Sequence, residues 1–116
     1  MSGLDDTVAQ QIAALRQAYL AQLPAKLAEI VTAIDDWRSR GDPDVLFNAY
    51  RLTHSLAGSG AIYGIAELSE AARAMELFVK PFAECKCEAT ADDLNTLSGH
   101  IESLRGVIAR ATAAVE

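Results

Sequence analysis

ADDLNTLSGHIESLRGVIARATAAV, residues 91–115, reads as a helix from end to end. Its apolar residues fall at Leu94, Leu97, Ile101, Leu104, Ile108, Ala111 and Val115, in alternating steps of three and four. That spacing lays one stripe along a helix, and it is the pattern by which the helices of a bundle pack. Thr90 or Asp92 supplies the N-cap. Upstream, a second stripe runs Ile65, Leu68, Ala72, Met75, Val79 and Phe82, reaching the region of Pro81. Residues 83–90 show no clear period and read as a connection.

Before that stripe, Asp42-Pro43 is a start signal, with Asp as N-cap and Pro at the first helical position. The helix it opens ends near Tyr63-Gly64, and its inward positions read Val45, Ala49, Leu52, Leu56 and Tyr63. The first run of the chain steps through Val8, Ile12, Leu15, Tyr19, Leu23, Leu27, Ile30, Ile34 and Trp37. Asp5, Asp6 and Thr7 offer capping oxygens at its start, and Arg38-Ser-Arg-Gly41 closes it with cations and a glycine. Its register passes through Pro24 unbroken, although proline deletes the bond to the carbonyl of Leu20. A kink, or two helices sharing one stripe, is expected there. No alternating run of β-branched residues sits between turn dipeptides. The expectation is an all-α protein: an antiparallel four-helix bundle with a long, Pro24-kinked (or split) N-terminal segment, residues 1–116 forming a single domain.

Composition narrows the function. Apolar residues make up 51% of 116, enough for one core, and the formal net charge is −6. Basic runs are absent, which argues against nucleic acid or an anionic membrane as partner. No apolar stretch approaches a membrane span, and the acidic N-terminus lacks a signal-peptide core, so a cytoplasmic location is expected. Cys85 and Cys87, one residue apart, are poorly placed to bridge each other. A zinc site would need two further ligands at suitable spacing, and only His54 and His100 offer imidazoles. The cysteines read as reduced loop thiols, with no metal.

His54 lies two residues from both Leu52 and Leu56, which turns it about 200° from each, toward solvent. Gly58 follows one turn later on the same face, and Gly60 soon after. Each costs a helix about 1 kcal/mol relative to alanine. Close helix approach accounts for Gly60, nearer the inward face, but less readily for Gly58. His100 has no small residue one turn away on its own face, where Leu104 follows, and reads as a solvated polar residue. A hydrolytic role for His54 lacks support: a convex helix has no walls to exclude water. Gly58-Ser-Gly60 is a poor phosphate loop, with no strand before it and no Lys-Ser or Lys-Thr after it. What remains is a histidine whose walls another protein supplies, and imidazole suits transient phosphoryl transfer.

Residues 49–64, AYRLTHSLAGSGAIYG, resemble the signature of histidine phosphotransfer (HPt) domains: His-x-Leu-x-Gly, small residues, and a further glycine six residues on. The resemblance implies a phosphorelay module of two-component signalling with His54 as phosphoacceptor, and no ATP-binding or autonomous catalytic site. Implied partners are receiver domains of response regulators and/or a hybrid histidine kinase, with magnesium carried by the receiver and no cofactor on this chain. A monomer is expected. The family commonly has lysine three residues after the histidine; here Ala57 stands there. Arg51, one turn before His54, is the candidate substitute, or else an ordinary solvated arginine. In related domains a polar residue of the next helix hydrogen-bonds the other ring nitrogen. A reversal near Gly64 brings Arg73 and Glu76 to the level of His54, and Glu76 matches that role. The competing reading pairs Glu76 with Arg73 or Lys80 along its own helix.

Two other functions fit the same residues. A non-catalytic helical adaptor would use the glycine-lined face without chemistry, and Ala57 extends that uncharged surface. An N-terminal phosphoacceptor domain of a chemotaxis-type histidine kinase would take phosphate from a kinase domain in trans. A chain that starts at methionine and ends soon after its last helix reads as free-standing; a domain cut from a larger kinase would look similar.

Overall fold

The computed structural model describes residues 3–41, 43–85 and 88–113, with side chains from Thr7 onward except at residues 43 and 85. Four helices follow one another: α1 (Gly3–Arg40), α2 (Pro43–Ile62), α3 (Ala66–Cys85) and α4 (Ala91–Ala113). α2 packs on α1 and α3, and α4 lies against α3 and α1. Leu23, Ile30 and Ile34 of α1 meet Leu46 and Leu56 of α2, Leu68 and Met75 of α3, and Leu97 and Leu104 of α4 in one buried core. This is the all-α bundle that the stripes require.

Local chemistry sets the ends. Gly41 stands in the left-handed region (φ 67°) and its N–H donates to the Trp37 carbonyl at 2.7 Å, closing α1. Gly64 (φ 73°) closes α2: its N–H reaches the Ala61 carbonyl, and the Ile65 N–H reaches the Gly60 carbonyl at 2.8 Å. That pair of bonds is a complete Schellman motif, and it turns the chain straight into α3. Thr90, not Asp92, caps α4: its Oγ1 accepts from the Asp93 N–H, and its own N–H donates to Asp93 Oδ2. Pro43 opens α2 as expected; Asp42, its expected cap, and Val115 lie outside the described residues.

Of the two forms expected at Pro24 the split does not occur: α1 is one helix through it. The proline ring points to solvent while Leu23 and Leu27 beside it are buried, so packing holds the helix across the missing bond. Its backbone is already helical at Gly3, so Asp5, Asp6 and Thr7 lie inside the helix rather than capping it.

Val8, Ile12 and Leu15 are not core residues; they are 47%, 60% and 59% exposed. The α2–α3 turn reaches α1 at Tyr19, whose ring stacks on Tyr63 at 4.3 Å and whose hydroxyl shares a 2.6 Å hydrogen bond with Ser59. Arg16 adds one bond to the Tyr63 carbonyl. Residues 3–18 therefore project past the bundle by roughly 24 Å, and the molecule measures 60 × 23 × 19 Å.

α3 continues through Pro81 to Cys85. Ala83 is buried and Phe82 packs on Trp37, so packing again outlasts the proline. Cys85 is thus the last residue of a helix and not a loop residue; Cys87 lies outside the described residues.

The buried face of α2 is Leu46, Ala49, Thr53, Leu56, Ala57 and Gly60. It is rotated roughly 60° from the expected one. Val45 and Leu52 instead line an open groove of about 740 Å³ between α1 and α2. Among the described residues no helix is long and apolar enough to cross a membrane.

Candidate functional site

α2 and α3 leave the Schellman turn as a tight hairpin. A Cβ at Gly60 would stand 3.1 Å from the backbone nitrogen of Ser69 and 3.3 Å from Leu68, so glycine here is what lets the two helices close. Ser69 Oγ donates to the Ala57 carbonyl at 2.8 Å, and Ala57 itself is buried. Position 57 is used for helix packing, and its methyl carries no charge toward the surface.

The same hairpin brings His54 and Glu76 together. His54 Nδ1 lies 2.6 Å from Glu76 Oε2. The imidazole is 66% exposed, while the carboxyl side chain is only 8% exposed. The rotation of α2 explains the meeting: His54 sits about 110° from the centre of the buried face rather than opposite it. It stands on the flank that borders α3, where a buried side chain of that helix can reach it. With the carboxyl ionised, Nδ1–H donates and Nε2 keeps its lone pair toward solvent.

Folding alone does not favour this carboxyl. A buried acid is costly unless its oxygens are satisfied. Glu76 Oε1 is buried and has no partner among the described residues. Neither alternative pairing along α3 forms: Lys80 lies 3.8 Å from Glu84, and Arg73 is exposed with no hydrogen bond or ion pair to a described residue. Arg51 is exposed and donates to Asn48 Oδ1 at 3.0 Å. The structure joins Glu76 to His54, then, and leaves Arg51 and Arg73 as cations of the same hairpin without a bond to the imidazole.

Gly58 is exposed, and a Cβ built there meets nothing within 4 Å. Intramolecular packing gives no reason for a glycine at this position, one turn beyond His54. His100 differs from its expected solvated state. It is partly buried, its ring 5.4 Å from that of Phe78, and burial lowers its pKa.

Two aromatic residues near His54 escaped the sequence reading. Tyr50 lies one turn before it, ring centroids 6.1 Å apart and planes 28° apart, and Phe47 tilts against Tyr50 at 5.8 Å. Their positions four and seven residues ahead of the histidine, in steps of four and three along one helix face, were the available signal. Phe47 and, on α3, Leu77 are exposed apolar residues of this hairpin.

A bundle that presents an imidazole on a convex, partly apolar face, its inner nitrogen tied to a buried acid, has the form of a phosphotransfer module. The family model of the Hpt domain matches residues 14–109, and the chain belongs to that family. Its members are the phosphotransfer domains of two-component signalling and work with receiver domains. Comparison with curated proteins and with solved structures finds no match. The matched span leaves out Val8 and Ile12, and with them most of the projecting part of α1.

Proposed function

We propose that His54 accepts a phosphoryl group on Nε2 from the aspartyl phosphate of one receiver domain and passes it to the aspartate of another. The observation that carries this reading is the exposed imidazole fixed through Nδ1 by a buried carboxylate. Loading is a displacement at phosphorus: the Nε2 lone pair forms the P–N bond, the P–O bond of the aspartyl phosphate breaks, and the carboxylate departs. The proton stays on Nδ1, where Glu76 offsets the positive charge that the ring acquires. The receiver, or the receiver domain of a hybrid histidine kinase, supplies the aspartate and the magnesium. This chain, acting as a monomer, supplies an oriented nitrogen.

Arg51 and Arg73 provide positive charge toward the phosphoryl oxygens in place of a lysine at position 57. Arg73 is favoured: it has no competing bond to a described residue and stands one turn before Glu76 on α3. The open space over Gly58 lets the receiver approach closely, and Phe47 and Leu77 give it apolar area to cover.

Incubation with a phosphorylated receiver tests the proposal. Wild type takes up label as an acid-labile, base-stable adduct, and His54→Gln takes up none. Equal labelling of the two would refute it. His54→Ala that still binds the receiver but no longer transmits the signal would remove the adaptor reading.

A further inference from the structure

Beyond its bond to Cβ, the His54 imidazole is held by one hydrogen bond. From Nδ1 to Glu76 it sets the tautomer, but coupled rotation about χ1 and χ2 can keep that bond while tilting the ring plane. At 66% exposure, little else confines the side chain. The plane matters because the Nε2 lone pair lies in it, and displacement at phosphorus needs that lone pair aligned with the breaking bond. A second constraint stands one turn away. The Tyr50 ring lies 6.1 Å from the imidazole at 28°, within the range of stacked aromatic pairs. Phe47, which the core does not bury, tilts at 44° against Tyr50 from the other side. Three rings thus stand in a row along the exposed flank of α2, with the imidazole at the end nearest the middle of the hairpin.

We propose that Tyr50 is a positioning residue for phosphoryl transfer at His54: it sets the plane of the imidazole, and so the direction of the Nε2 lone pair, while Glu76 sets the tautomer. This rests on His54 being the phosphoacceptor. The phenol face also lies toward the positive charge that the ring gains as the P–N bond forms. Stacking is the contribution, since the Tyr50 hydroxyl makes no hydrogen bond to a described residue.

The test uses the full chain as wild type, Tyr50→Phe and Tyr50→Leu, each loaded from two donors. Phosphoramidate is small and needs no docking surface; its P–N bond breaks as the bond to Nε2 forms, and ammonia leaves with the protons it already carries. A phosphorylated receiver is the second donor. Tyr50→Phe should load within about twofold of wild type from both, and Tyr50→Leu about tenfold slower from both. The order parameter of the His54 Cε1–H bond, read by carbon relaxation, should fall in the Leu variant and recover in the Phe variant. Loss with the receiver alone would make Tyr50 a docking residue, and equal loss in both variants would assign the effect to the hydroxyl; either result overturns the proposal. So does a Leu variant that loads like wild type from phosphoramidate. If wild type loads from neither donor, the phosphoacceptor reading itself falls.

Discussion

The two histidines occupy similar backbone positions, each inside a bundle helix and each close to a glycine with open space where its Cβ would be. Their surroundings differ in kind. His100 tilts against Phe78, is partly buried, and has its pKa lowered by that burial. His54 stands out of the surface with a buried carboxyl at Nδ1 and an aromatic ring beside it. One imidazole has been used as packing material; around the other, packing has been given up for access. What separates the packed from the presented histidine here is an acid: both stand beside an aromatic ring, and His54 alone of the two is bonded to a carboxyl.

The largest expected difference between them is in phosphoryl uptake. His54→Gln abolishes labelling from a phosphorylated receiver, whereas His100→Gln labels at the wild-type rate. Label remaining in the first, or lost in the second, would break the comparison. Glu76 comes next. Glu76→Gln keeps an acceptor for Nδ1 without the charge and should load about tenfold slower, or ~1.4 kcal/mol of transition-state stabilisation. Glu76→Met removes the acceptor as well and should load about a hundredfold slower. The same Met variant should be more stable to denaturant by about 1 kcal/mol, because it deletes a buried carboxyl with an unpaired oxygen. A variant that folds better and transfers worse is the signature of a residue kept for chemistry.

The bundle was legible because α4 and the caps obey local rules: a three–four stripe, a capping box at Thr90 and Asp93, a Schellman glycine at 64. The errors lie where tertiary contacts decide. Nothing in the stripe Val8, Ile12, Leu15, Tyr19 says that the α2–α3 turn meets it only at Tyr19; that depends on where the turn falls. The face of α2 was misplaced because Val45 and Leu52 were given the core in preference to Thr53. Thr53 is fully buried, its hydroxyl bonded back to the carbonyls of Ala49 and Tyr50, so it packs as an apolar residue would. Pro24 marked a kink or a split and α3 was expected to end near Pro81; burial on either side carries both helices through. At the site, His54 and Gly58 could be found from spacing on one helix. Glu76 could be nominated but not chosen, since its rivals Arg73 and Lys80 lie at equally good steps. Tyr50 was passed over because an aromatic residue four before a histidine reads as ordinary helix surface or core.

The neighbouring glycines give a smaller, paired effect. Alanine meets no atom within 4 Å at either Gly58 or Gly99, so Gly58→Ala and Gly99→Ala should each stabilise the fold by about 1 kcal/mol through helix propensity. They part in function. Gly58→Ala should raise the KM for a phosphorylated receiver and leave loading from phosphoramidate unchanged, because the methyl stands in the approach path of a protein but not of a small donor. Gly99→Ala should change neither. Equal transfer by the two variants would mean that the open surface beside His54 plays no part in docking.

The smallest effect is one of pH, and it belongs to His100. Burial holds its pKa below the ordinary value of 6.5, so on acidification the unfolded chain takes up this proton before the folded one does. Folding stability therefore declines as pH falls through about 6.5, and this contribution levels off only once the folded imidazole is protonated too; above that window it is retained in full. His100→Phe has no proton to gain and keeps the contact with Phe78. Urea melts at pH 7.5 and 5.5 should show a smaller acid-side loss in the variant than in wild type, with His54→Gln as the parallel control. An unchanged difference in His100→Phe would mean that this ring titrates alike folded and unfolded, and that the contrast between a packed and a presented imidazole is one of geometry alone.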